Sequence, residues 1–128
     1  NTAPFKEKLP TILAKAIAIK STSEANFLLA NFLYNNSIDI SEDARKLRGP
    51  KPADLKRKKE LDAASTKAMN DAIPYAEKVV SLFGENPKPK SSEKMNYKQS
   101  LVILKNIYEV KKDPAKVAVY DKKIKAVE

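Results

Sequence analysis

Residues 53–83 read ADLKRKKELDAASTKAMNDAIPYAEKVVSLF. Leu61, Ala64, Ala68, Ala72, Tyr75, Val79 and Leu82 recur at intervals of three and four, with Met69, Ile73, Ala76, Val80 and Phe83 on the adjoining face. That is the period of an amphipathic α-helix. The first two turns, Asp54 to Glu60, carry only Leu55 as an apolar residue, which predicts a solvated start. Pro74 lies inside the pattern, where it removes one backbone donor and crowds the preceding turn, so a kink rather than a stop is expected.

Upstream, Arg48-Gly49-Pro50-Lys51-Pro52 is the sharpest break and orients the chain for a reversal. Before it, Ala30, Leu33, Ser37, Ile40, Ala44 and Leu47 repeat at three and four, and a helix is expected from a Ser21/Glu24 capping box to about Leu47. Around Phe27 to Tyr34 the apolar residues cover more than one face, so this half should be sandwiched between two neighbours. Beyond Asn35 the stripe narrows to one neighbour. Residues 5–20 give a further helix with Pro10 inside or at its start, with Ile12, Ala16 and Ile19 on one face and Leu13 and Ile17 beside it.

Downstream, Gly84 to Ser92 reads as a loop, and Asn96 with Gln99 as the cap of the next helix. Tyr97, Leu101, Leu104 and Tyr108 form its main stripe, with Ile103, Ile107 and Val110 alongside. Asp113-Pro114 ends that helix and starts another, aspartate as N-cap and proline at the first helical position. Val117, Tyr120, Ile124 and Val127 give the last helix a single apolar face. The result is an all-α chain of five helical segments in antiparallel hairpins.

Bulk properties agree. A chain of 128 residues buries roughly two thirds of its unfolded surface, enough for one domain with its own core. Apolar content of 42% and charged content of 32% belong to a globular chain rather than a disordered one. With two glycines and eight prolines, the turn chemistry of an all-β fold is missing. The chain has no cysteine and no histidine, which excludes disulfides, thiolate chemistry and zinc sites with Cys or His ligands. No stretch is apolar enough to span a membrane. The first residue is Asn1 rather than methionine, which is compatible with a removed leader and favours a periplasmic or secreted location over a cytoplasmic one.

The last forty residues have the helix–turn–helix form of one tetratricopeptide repeat (TPR) unit. Leu104 and Tyr108 match large residues of its first helix, and Val117 follows Tyr108 by nine positions as the second helix requires. Lys105 stands where the family has a small residue, as a degenerate terminal repeat would. EANFLLANFLYNNSID resembles a TPR first helix more closely, with Leu29 and Ala30 in the Leu-Gly positions and Leu33 in the aromatic one. Ala72, Ala76 and Val79 take the small and medium positions of the matching second helix. Leu33 and Ala72 stand 39 positions apart where the repeat has about nine, so about thirty residues lengthen both arms of this hairpin. The layout, with its IPYAEKVV phrase, resembles the C-terminal portion of TPR proteins found in Bacteroidetes. The resemblance implies a TPR-like superhelical array in a single domain over 1–128. In it, 1–20 would end a preceding repeat, 21–84 form an extended hairpin and 94–128 a terminal repeat. It further implies that the first helix leaves an apolar face uncovered.

What the family implies for function is scaffolding, with a protein or peptide held against the first helices. On that geometry Phe27, Asn31, Tyr34 and Asn35, then Gln99, Val102, Asn106 and Glu109, would face the partner. Ordinary packing or surface exposure accounts for each of them as well. The set of basic and asparagine residues with which some TPR domains clamp a peptide carboxylate is missing, so that ligand is not carried over. The runner-up is a basic domain that binds nucleic acid or an anionic surface, on the net charge of +9 and the run Lys56-Arg57-Lys58-Lys59. Four consecutive helical residues point all round the axis, however, and no aromatic is interleaved for stacking. Catalysis is not expected. Asp39, Glu42 and Asp43 follow an exposed stretch of helix rather than a closed site, and no metal or cofactor site is read.

Overall fold

The structure, a computed structural model, describes residues 3–47, 49 and 51–127; the side chains of residues 3–9 and of Ile19 lie outside the description, as do Arg48 and Pro50 of the expected break. The described residues form five helices and no strand: α1 (Ala3–Ile19), α2 (Ser23–Arg45), α3 (Pro52–Glu85), α4 (Ser91–Val110) and α5 (Pro114–Val127). None is long and apolar enough to cross a membrane.

α3 is the axis of the fold. Pro52 starts it, in the position where proline costs no helical hydrogen bond, and the helix continues through Pro74 to Glu85. Gly84 does not end it. The stop comes two residues later, where Asn86 turns extended, donates its N–H to the Phe83 carbonyl, and precedes Pro87. α2 packs along α3 as an antiparallel partner. Ala30, Ser37 and Ala44 are buried on one side of this seam, and Ser65, Ala68, Ala72, Ala76 and Val79 on the other. The Ser65 hydroxyl donates to the Ser37 carbonyl at 2.7 Å, and the Ser37 hydroxyl to the Tyr34 carbonyl at 2.6 Å. One residue departs from the expected stripe: Ala64 is exposed and Ser65 takes the buried place, because its hydroxyl finds that cross-helix acceptor.

α4 runs back along α3. Phe83 stacks on Tyr97 at 4.0 Å between ring centroids, and near the other end the Lys111 ammonium donates to Asn70 Oδ1 at 2.9 Å. Leu101, Leu104 and Ile107 are fully buried in one cluster with Ala30, Ala72 and Ala76. The bulk missing from the α2–α3 seam is therefore supplied by α4. α5 closes the core through Tyr120 and Ile124, with Tyr108 and Tyr120 stacked at 5.8 Å. Since α2 and α4 are both antiparallel to α3, they are parallel to each other. Val110, expected on the second stripe of α4, stays 63% exposed because the helix ends there.

The helix ends correct two readings. Thr22, not Ser21, caps α2 by accepting from the Ala25 N–H at 3.1 Å; Ser21 instead accepts from the buried Asn26 amide at 2.8 Å. α4 begins at Ser91, so Asn96 and Gln99 lie inside it. Its first turn is closed by Glu93, whose carboxylate accepts from the Lys90 N–H at 3.2 Å and from the Asn86 amide at 2.9 Å. The predicted Asp113-Pro114 start is present, with Asp113 accepting from the Lys116 N–H at 3.2 Å. Lys112, at φ 58°, makes the left-handed turn between the last two helices, and the Asp113 N–H reaches the Tyr108 carbonyl at 2.9 Å.

Among the described residues, α1 packs on α2 alone. Among its described side chains Pro10, Leu13 and Ile17 are half-buried, while Ile12, at 51% exposure, and Ala16 face outward.

The seam yields a direct expectation. Ala72 is fully buried where α2, α3 and α4 meet, so Ala72→Leu should force the helices apart and destabilise the fold by about 1–3 kcal/mol. Lys67→Leu, one turn away on the exposed side of α3, should change stability by less than about 0.5 kcal/mol. Paired denaturant titrations measure both, and equal midpoints for the two variants would contradict close packing at Ala72.

Candidate functional site

A depression of about 620 Å³ lies between α1 and α3 with α2 as its floor. It exists because, among the described residues, α1 and α3 both pack on α2 and not on each other. Leu29 and Leu33 form the floor, Pro10, Ala14 and Ala18 one wall, and Pro74 and Tyr75 the other. Thr11 and Lys15 give α1 a polar rim, and Asn70 and Asp71 give one to α3. Asp71 accepts from the Lys67 ammonium at 2.8 Å, a bond that raises the lysine pKa. Pro74 carries no N–H, so the Asn70 carbonyl one turn before it lacks its usual helical donor.

A second groove of about 450 Å³ separates the N-terminal turns of α2 and α4, and includes Glu24, Phe27, Lys90, Glu93 and Asn96. A third, about 290 Å³, lies where Leu13 of α1 approaches Leu28, Asn31, Phe32 and Asn35 of α2. On the opposite end, Lys105, Glu109, Val117 and Asp121 line a shallow surface between α4 and α5. There Asp121 accepts from Lys125 at 3.0 Å and Lys105 at 3.2 Å, which holds its carboxyl below the ordinary aspartate value.

The eight positions read as a partner face fall into separate places. Phe27 lines the α2–α4 groove and also packs on the core. Asn31 and Asn35 line the α1–α2 groove, and Glu109 the α4–α5 surface, 4.0 Å from Lys105. Tyr34 packs against the core. On α4, Gln99 and Val102 are exposed and Asn106 is half-buried. Within the set, Asn31 and Asn35 share one of these four grooves and no other two do. The α1–α3 groove was not among the expected sites. Its signals in the sequence were the alanines at 14 and 18, one turn apart, and Pro74, whose effect on a carbonyl is distinct from a bend.

The other candidates are simply located. Lys56, Arg57, Lys58 and Lys59 are all exposed, and Arg57 lies 3.7 Å from Glu60. Glu42 and Asp43 are exposed beside Arg45 and Lys46. Among the described residues no group of carboxylates is arranged to hold a metal ion.

Two tyrosines carry a pH response. Burial, then the Glu77 carboxylate and Tyr108, push the Tyr120 phenol up to about 12, and burial raises Tyr108 in the same direction. Because the neutral phenol is favoured in the folded chain, its contribution is whole below the unfolded value of 10.0 and is lost as pH rises through about 12. Thermal melts from pH 8 to 12 should show this decline, and Tyr120→Phe, which keeps the ring, should decline less; identical declines would dissociate the effect from Tyr120. Comparison with protein-family models, with curated proteins and with solved structures finds no match for this chain, so the functional reading rests on its own geometry and charge.

Proposed function

We propose that the chain is a non-enzymatic scaffold of TPR-like helical hairpins that binds a protein or peptide partner along its helix faces. The observation that supports this best is the alternation of the helices. α2 and α4 lie parallel with α3 between them in the chain, and α5 returns along α4 as α3 returns along α2. That is the order of first and second helices in consecutive repeats. The matches at Leu29, Ala30, Ala72, Ala76 and Val79 fit the same reading, since all five are buried where the two helices of one hairpin would meet. The likeness to the C-terminal portion of Bacteroidetes TPR proteins belongs with it. Open grooves between helices, lined by apolar floors and polar rims, are the surfaces on which such a scaffold would work.

The net charge of +9 keeps the runner-up, binding to nucleic acid or an anionic surface, in view. Against it, acids stand beside several of the basic residues of the arm, in the Arg57–Glu60, Arg45–Glu42 and Lys46–Asp43 pairs. A labelled DNA duplex titrated at low and at physiological salt separates the two. The scaffold reading predicts no binding tighter than about 10⁻⁴ M at physiological salt. Binding in the micromolar range there, weakening steeply with further salt, would establish the alternative instead.

A further inference from the structure

We infer that the groove between α1 and α3 is a docking site for an acidic amphipathic helix, a proposal that deepens the scaffold reading and rests on it. Three features lead there. The floor and walls are apolar: Leu29 and Leu33 below, Ala14 and Ala18 on one side, Pro74 and Tyr75 on the other. Ala14 and Ala18 are one turn apart, which makes the α1 wall smooth enough for another helix to approach closely, its apolar residues repeating at three and four.

Among the described residues, cations about the rim outnumber carboxylates. Of these, Asp71 is the one carboxylate lining the groove, and Lys67 already holds it at 2.8 Å. Lys15 lines the other side, and Lys111 is anchored to the rim through Asn70 at 2.9 Å. Apolar burial at the centre with cations at the edge selects a helix that carries aliphatic residues on one face and carboxylates beside them. A second copy of this chain is a poor occupant, because each copy carries a net charge of +9. The Asn70 carbonyl, left without a helical donor by Pro74, adds an acceptor for a polar hydrogen on the incoming segment.

The probe is a fluorescein-labelled synthetic helix of about four turns, with leucines at i, i+3, i+4 and i+7 and glutamates flanking them, alongside a version with lysine in place of every glutamate. Anisotropy titrations should give saturable binding of the acidic peptide and none of the basic one. Lys15→Glu should weaken the acidic peptide at least about fivefold. Ala18→Trp, an exposed position where the indole would fill the groove, should abolish it, with thermal melting showing both variants folded. Amide chemical shifts on the parent protein locate the peptide. Shifts at 14–18 and 70–75 support the proposal. Binding that survives Ala18→Trp, with shifts on α2 and α4 instead, overturns the groove assignment and leaves the scaffold reading standing. Failure of both peptides to bind overturns the groove assignment, and micromolar duplex binding at physiological salt is what would remove the scaffold reading. Self-association of the parent that Ala18→Trp abolishes would assign the groove to a second copy and overturn the acidic partner.

Discussion

The close approach of α2 and α3 is the constraint on which the other helices depend. Alanine and serine occupy the seam at Ala30, Ser37 and Ala44 facing Ser65, Ala68, Ala72 and Ala76. Small side chains let two backbones come together, so that many weak dispersion contacts accumulate along the interface. The hydroxyls in the seam remain satisfied, since Ser65 and Ser37 each donate to a backbone carbonyl of α2. A seam of this kind does little by large-residue burial. Its contribution is geometric: it holds two long helices at a fixed spacing and presents a flat face to what packs next.

What packs next is α4, and it brings the volume. Leu101, Leu104 and Ile107 fill the space above Ala30, Ala72 and Ala76, and the tyrosines at 108 and 120 extend the cluster to α5. On the other side α2 receives α1, which makes no comparable contact with α3. That asymmetry produces the groove. The same narrow seam that draws α2 and α3 together leaves α1 standing apart from α3, with the buried Leu29 and half-buried Leu33 of α2 beneath the gap between them. Structure and proposed function thus meet in one feature.

Much of the helical plan was legible because the core uses a steady period. Ser37 and Ala44 were correctly placed on the buried stripe of α2, and Ala68, Ala72 and Val79 on that of α3. Readings failed where the deciding interaction was a single hydrogen bond rather than a pattern. Ser21 looks as good a cap as Thr22 until Asn26 takes its hydroxyl. Lys90 is a poor cap residue, so the real start of α4 was hidden until Glu93 was seen to close the turn. Ser65 scores as polar and Ala64 as apolar, yet the Ser37 carbonyl reverses their places. The expected partner face dispersed for a different reason. A helical period tells which residues share a face of one helix, not which neighbour that face meets. Asn31 and Asn35 therefore went to a groove with α1, whereas Phe27 went toward α4.

The long arm is the most direct test, and a chain with no native cysteine suits it well. Spin labels placed at Glu42→Cys on α2 and Lys59→Cys on α3, both exposed, report the spacing of the two helices far from the rest of the core. With axes about 8–10 Å apart, pulsed electron resonance should give one narrow distance distribution below about 25 Å. A broad distribution reaching beyond about 40 Å would mean that the arms separate, and would contradict the small-residue seam as the organising contact of the fold.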